Sequence, residues 1–198
     1  MDFEAKVTEE RLLQTAFHES GHIIFAYITG YLCDGCELLK NGDGKTLLNF
    51  GSDLLLIAGI TNCIEEPELF NGLDRKVKAH YPIVSNRIIR ILLAGSIVES
   101  AFVNGGVIKD NMEVEVSGPD LIKANNVNEL LFQLKKEKHD SNFIQNTMSD
   151  LFIMISIDEM WNTISKLANE LAIKRKLMQQ EIEEILNISG FFEFIKAV

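Results

Sequence analysis

The segment His18-Glu19-Ser20-Gly21-His22 places two histidines four residues apart, with a glutamate directly after the first. On an α-helix, residues four apart lie on one face, about one turn from each other. Two imidazole rings placed in this way can both direct a nitrogen at one ion, at about 2.0 to 2.1 Å for zinc. The spacing therefore predicts that His18 and His22 are zinc ligands.

Glu19 follows the first of these histidines and is the candidate general base. Its carboxylate can reach a water on the ion without coordinating the metal itself. Zinc lowers the pKa of a bound water toward about 7, so that a nearby carboxylate can take the proton. The expected chemistry is hydrolysis of a peptide bond, with Zn2+ as the cofactor and a polypeptide as the substrate. The simpler alternative is an amphipathic helix that carries these three side chains and no metal.

A catalytic zinc site usually has three protein ligands and one water, so a third ligand is needed. Ile28 stands where a further histidine would complete an HExxHxxGxxH string, and His80 and His139 stand alone. Two acids are better candidates. Glu99 interrupts an apolar helical run, where an unpaired acid is costly, and Asp120 opens a predicted helix. The residues alone leave open whether Asp120 or Glu99 completes the site.

The motif falls in the middle of a predicted helix, where its geometry works. Apolar periodicity and capping residues predict this helix from a cap at Thr8 to about Thr29. A less regular region follows over about residues 31–82. Within it, the strand-like runs 36–39 and 46–50 flank turn residues and predict a β-hairpin. The apolar run 53–61 fits either a strand or a buried helix.

The rest of the chain, about residues 83–187, has the pattern of helices separated by polar loops. The helical stretches are 83–103, 120–138, 142–155, 156–176 and 179–186, with a loop or short strand at 107–119. Ser156 and Glu159 predict a capping box for the fourth of these helices. The apolar tail Phe191–Phe194 is expected to dock on the body. The expected fold is mainly α (α+β), a single domain over 1–198 with a small β-hairpin or edge sheet near the metal helix.

Composition restricts the partners and the compartment. The 198 residues carry a formal net charge of -10, which disfavours phosphate backbones, so no nucleic-acid partner is expected. The odd set Cys33, Cys36 and Cys63 suits a reducing compartment. No signal peptide or run of about 20 uncharged apolar residues is visible, so we expect a soluble cytoplasmic protein without a membrane partner.

Two further sequence patterns resemble functional motifs but have simpler structural explanations. Gly44-Lys45-Thr46 matches the end of a P-loop, but Leu39 stands where the first glycine belongs, and turn residues explain the segment better. Cys33 and Cys36 form a CxxC pair without the second pair that a structural zinc needs. We interpret them as two partly buried thiols near a turn.

Three strings together resemble the signatures of the FtsH-type ATP-dependent zinc metallopeptidases, from about residue 8 to 187. Thr15–His22 is similar to the HEAGH helix, Leu93–Glu99 to an AGRxAE-like string, and Ser117–Ala124 to a TGAxxDLxxA-like string. Residues 163–187 are similar to the closing pair of helices. The resemblance implies a zincin-type helical peptidase domain. It also implies a role for each matching site residue: zinc ligands at His18, His22 and Asp120, the base at Glu19, and a ligand-orienting role for Glu99.

The chain also departs from this family. Ser96 replaces the arginine of the second signature, and the spacing from Gly118 to Asp120 is shorter than usual. The sequence contains neither the ATPase module nor the membrane anchors. A peptidase domain alone is therefore expected to cut flexible or exposed segments, unless a separate ATPase or a homo-oligomer serves it.

Two other functions stay open at this stage. One is a non-catalytic helical interaction domain with a structural or vestigial zinc site. The other is a regulatory peptidase that is specific for one partner protein.

Overall fold

The structure, a computed structural model, describes residues 8–106, 118–135 and 142–197. The helices in these residues are α1 Glu9–Ile28, α2 Leu54–Glu65, α3 Arg75–Val103, α4 Pro119–Lys135, α5 Phe143–Ile155, α6 Asp158–Lys174, α7 Gln179–Ile188 and α8 Phe191–Ala197. The strands are β1 Leu32–Leu38, β2 Gly44–Asn49 and β3 Lys176–Met178. The expected mainly helical α+β class is confirmed. The predicted loop over 107–117, His139 and residues 136–138 lie outside the described residues.

Helix α1 is the central element and forms as its sequence predicts. The Thr8 hydroxyl accepts a hydrogen bond from the backbone N–H of Arg11 at 3.2 Å and satisfies one free donor of the first turn. Glu9 and Glu10 add negative charge where the helix dipole is positive. Gly30, at φ +89°, takes the left-handed conformation that ends the helix.

Helix α3 begins earlier than the sequence predicts, at Arg75 instead of residue 83. Asp74 caps it by accepting from the Lys76 N–H at 2.7 Å, and Pro82 lies inside the helix. Proline lacks an N–H and usually interrupts a helix, but α3 continues through this one. By length and composition alone this helix could cross a membrane, but 61% of its most apolar stretch is buried inside the protein, as in the core helix of a soluble protein.

Helices α1 and α3 approach each other closely at two glycines. A Cβ atom on Gly21 would lie 2.6 Å from the Ala94 carbonyl oxygen, and one on Gly95 would meet the rings of His18 and His22. Gly21 therefore lets the two backbones meet, and Gly95 leaves room for the two imidazole rings. This contact brings α3 against the motif face of α1.

The predicted hairpin is confirmed and belongs to a three-stranded antiparallel sheet of order β2-β1-β3. Leu38 pairs with Gly44 next to the turn, and a bulge between Cys33 and Gly35 shifts the register of β1. The third strand, β3, is only three residues long and has no periodicity to detect. Within the described residues, β2 is an edge strand that lies beside α1.

Several local predictions are corrected. The ambiguous run 53–61 is helical, in α2, but exposed on one side, with Leu55 84% accessible. The capping box of Ser156 and Glu159 is wrong. The Ser156 hydroxyl donates to the Phe152 carbonyl at 2.7 Å, back into α5, and the residue before α6 is Ile157. Helix α6 also ends before residue 176, since Arg175 turns left-handed at φ 65°.

One apolar core joins the helices and the inner face of the sheet. Its fully buried side chains include Phe25 of α1, Ile97 of α3, Ile164 of α6 and Leu177 of β3. Phe191 is also buried, which confirms that the tail docks on the body. Because the core buries one face of α1 and one face of α3, it determines which faces of these helices are available to form the site.

Candidate metal centre

His18 and His22 of α1 meet Asp120 in the first turn of α4. The two Nε2 atoms lie 3.0 Å apart, and Asp120 Oδ2 lies 3.2 Å from the first and 3.3 Å from the second. Ligand atoms at about 2.0 to 2.1 Å from a tetrahedral zinc are roughly 3.3 Å from each other. The three atoms therefore form a group that could hold one metal ion.

The second nitrogen of each ring is fixed by a partner on α3. His22 Nδ1–H donates to the Ile91 carbonyl oxygen at 2.8 Å, and His18 Nδ1–H donates to Glu99 Oε2 at 2.8 Å. A proton held on Nδ1 leaves the lone pair of Nε2 free for a metal. Both rings thus present the ligating nitrogen toward Asp120.

Glu99 lies behind His18, away from the Nε2 atoms. Besides the histidine, its carboxylate accepts from Gln14 Nε2 at 2.7 Å and has Arg11 Nη1 at 3.7 Å. Its two oxygens are therefore engaged in orienting neighbours. Of the two acids that the residues alone left open, Asp120 brings its carboxylate to the Nε2 atoms of His18 and His22.

Glu19 is buried, with 6% of its surface exposed, in the same cleft. Its Oε2 accepts a short hydrogen bond from the Thr46 hydroxyl of β2. Gly44 packs directly against the carboxylate, where a Cβ atom would overlap it. A buried polar group needs hydrogen-bond partners of this kind.

The cleft in front of these residues has a volume of about 540 Å³. Its walls come from α1, α3, α4 and β2. The apolar lining includes Leu48, Ile91 and Leu92, and the cations Arg11, Lys45 and Lys123 also line the cleft. The space is large enough for several side chains of an extended chain.

The charges of the cluster are strongly coupled. Burial lowers the pKa of His18, but hydrogen bonds with Asp120 and Glu99 outweigh it and raise that pKa to about 9. Burial raises the pKa of Asp120, but hydrogen bonds from His18 and His22 hold it well below its usual range. The carboxylates on either side of the His18 imidazole thus favour its protonated, cationic form.

Sequence reasoning missed several contributors. Gln14, Thr46 and Lys123 contact the site residues, and Lys123 Nζ lies 3.2 Å from Asp120 Oδ1. From sequence alone, none of them was assigned a role at this site. Gly95 is different, because it stands in the string that also contains Glu99, and a glycine in a helix indicates a close approach.

Within the described residues, the discounted patterns supply no atom to the group of His18, His22 and Asp120. His80 is exposed on α3. Cys33 and Cys36 are buried free thiols of β1, and burial raises the pKa of the Cys33 thiol to about 12, so it stays protonated. Lys45 and Thr46 lie within a β-strand and not before a helix, which excludes a P-loop there.

Comparisons with protein-family models, curated proteins and solved structures find no match for this chain.

Proposed function

We propose that this protein is a zinc-dependent endopeptidase. The observation that carries the proposal is the meeting of His18 Nε2, His22 Nε2 and Asp120 Oδ2 within 3.3 Å of one another, beside a cleft that Glu19 also lines. Two histidines and one carboxylate from separate helices are a ligand set of hydrolytic zinc sites. The FtsH-type signatures in the sequence agree with this proposal.

The donor chemistry favours zinc or another transition ion over calcium and magnesium. Two imidazole nitrogens suit zinc, copper, iron or nickel, whereas calcium and magnesium take oxygen ligands. The carboxylate of Asp120 is a further ligand of the type that zinc accepts. Three protein ligands leave a fourth position for water, as in catalytic sites.

In the proposed reaction, Glu19 moves protons. When bound, zinc would polarise the scissile carbonyl and lower the pKa of a coordinated water. The Glu19 carboxylate takes a proton from the attacking water and passes it to the leaving amine. His18 and His22 hold their ligating nitrogens in place through Glu99 and the Ile91 carbonyl.

The edge strand β2 fits an extended peptide substrate. Its Gly44–Leu48 segment lines the cleft, and in the described residues it pairs only with β1. The free edge offers backbone donors and acceptors that can align a substrate strand. We therefore propose a flexible polypeptide as the substrate, in a cytoplasmic setting, with a separate ATPase or a homo-oligomer as a possible partner.

The test combines metal analysis with digestion of fluorescein-labelled casein, a flexible protein. We expect one zinc per chain after purification without added metal or chelator, and cleavage that 1,10-phenanthroline abolishes. Glu19→Gln should retain the zinc and lose at least about 100-fold in rate, because it removes the general base. A chain that binds no transition metal, even when zinc is added, would refute the proposal.

Two other results would support a different function for this protein. Zinc binding without cleavage of casein or of a peptide library supports a non-catalytic interaction domain. Zinc binding with cleavage of a single cellular partner, but not of casein, supports a regulatory peptidase.

A further inference from the structure

The β-hairpin is tied to α1 at two places around the candidate base. The Thr15 hydroxyl donates to the Gly42 carbonyl at 2.8 Å in a buried position. One turn further along α1, Glu19 accepts from the Thr46 hydroxyl. The hairpin is thereby held against the metal helix, with Gly44 packed on the Glu19 side chain.

Thr46 has one hydroxyl proton and two acceptors within reach. The first is Glu19 Oε2, and the second is Cys36 Sγ at 3.4 Å. A hydrogen bond to a carboxylate is charge-assisted and roughly twice as strong as a neutral one. The proton therefore goes to Glu19, and the oxygen of Thr46 is free to accept from Cys36.

Cys36 is suited to this second bond. Its side chain is buried, and burial raises the pKa of its thiol, so it keeps the proton that it would donate. A thiol is a weak hydrogen-bond donor, but it can be buried at a lower cost in free energy than an amine or a second acid. Cys36 of the CxxC pair thus has a supporting role behind the site that involves no redox or metal chemistry.

A carboxylate has about four lone-pair positions, and Thr46 takes one of them. The bond restricts rotation about the terminal torsion of the glutamate, which is otherwise broad. A general base must hold its oxygen within hydrogen-bond reach of the water. A carboxylate held in one orientation therefore accepts the proton more efficiently than one that rotates freely.

We propose that Thr46 is a positioning residue that orients the Glu19 carboxylate for proton transfer, with Cys36 supporting its hydroxyl. The inference rests on the proposed peptidase function. Thr46 would act through Glu19 and contact neither the metal nor the reacting atoms.

The first test compares Thr46→Val, which removes the hydroxyl at similar volume, with Thr46→Ser, which keeps it. With zinc-loaded protein and fluorescein-labelled casein, we expect T46V to lower kcat about 10- to 100-fold, because small misplacements of catalytic groups have effects of this size. KM should change less than about twofold, and T46S should restore most of kcat. Zinc content should stay at one per chain in both variants.

Thr163→Val is the matched control. Thr163 is more deeply buried than the half-buried Thr46, and the Thr163 hydroxyl donates to the Glu159 carbonyl within α6. It should leave kcat and KM unchanged. The inference would be overturned if T46V left kcat unchanged or changed KM as much as kcat. It would also be overturned if T46S did not restore kcat.

A second readout does not depend on activity. In a double-mutant cycle on the free energy of unfolding, T46V should destabilise the wild type more than it destabilises Glu19→Ala, because the hydrogen bond is absent in the second background. Strict additivity would overturn the bond itself. If the wild type binds zinc but does not cut casein, the peptidase proposal fails while this cycle still reports on the bond.

Discussion

A methyl group on Gly95 would lie 2.5 Å from Cε1 of His22 and 2.9 Å from Nε2 of His18. No Cβ atom tolerates such contacts with a ring that packing holds in place. The absence of a side chain at this one position of α3 therefore permits the two imidazoles to converge on Asp120.

Gly95→Ala is accordingly expected to disrupt the site while leaving the helices in place. Alanine favours a helix by about 0.5 to 1 kcal/mol over glycine, so the secondary structure should persist. We expect zinc affinity to fall at least about 100-fold, measured by competition with a chromogenic chelator. Gly59→Ala in α2, where a Cβ atom meets nothing within 4 Å, should bind zinc normally.

Glu99→Ala should weaken zinc binding without abolishing it. The carboxylate accepts the Nδ1 proton of His18, and loss of such a partner typically lowers metal affinity about 10- to 100-fold. Isothermal titration of the metal-free protein with zinc measures the effect. Glu170→Ala removes an exposed acid of α6 and serves as the control. Complete loss of zinc binding in E99A would instead indicate that this acid is itself a ligand.

The stability of the metal-free protein should decline at alkaline pH. The folded pKa of His18 is about 9, above its ordinary value of 6.5, so its protonated form stabilises the fold. This contribution is fully present below about pH 6.5 and is lost as the pH rises toward 9. Thermal unfolding in EDTA from pH 6 to 9.5 should show the decline in the wild type relative to His18→Gln. A constant difference between the two proteins over this range would contradict the prediction.

Helix α6 offers a matched pair for the core. Ile164 is fully buried, whereas Ile173 on the same helix is 76% exposed. Ile164→Ala should lower the free energy of unfolding by about 2 to 5 kcal/mol, because it leaves a cavity as well as removing apolar burial. Ile173→Ala should change it by less than about 0.5 kcal/mol. Urea denaturation of both variants checks the contrast, and equal effects would contradict the described packing of α6.

Local sequence determined the elements whose signals lie within one or two turns of chain. The cap at Thr8 and the periodicity of α1 predicted the helix, and the i, i+4 spacing placed His18 and His22 on one face. The turn between β1 and β2 likewise predicted the hairpin. These features depend on interactions between near neighbours, which a sequence displays directly.

Two local signals gave the wrong helix boundaries, and one strand has no local signal. The apolar pattern indicated a helix start at residue 83, but α3 begins at Arg75, after the Asp74 cap, and runs through Pro82. Ser156 had the type and spacing of a cap, yet its hydroxyl bonds to the helix before it. Strand β3 exists because Leu177 pairs with Cys36 of β1, a partner 141 residues earlier in the chain (177 - 36).

The composition of the candidate site was decided only by tertiary structure. Sequence offered both Glu99 and Asp120, and the packing of α3 and α4 on α1 turned the first toward Nδ1 of His18 and the second toward the Nε2 atoms. Thr46 reached Glu19 in the same way, through the docking of the hairpin. Residue types and spacing determine which side chains can bind a metal or move a proton. Which atoms meet depends on how helices about 80 to 100 residues apart pack, and short-range patterns carry no information on that packing.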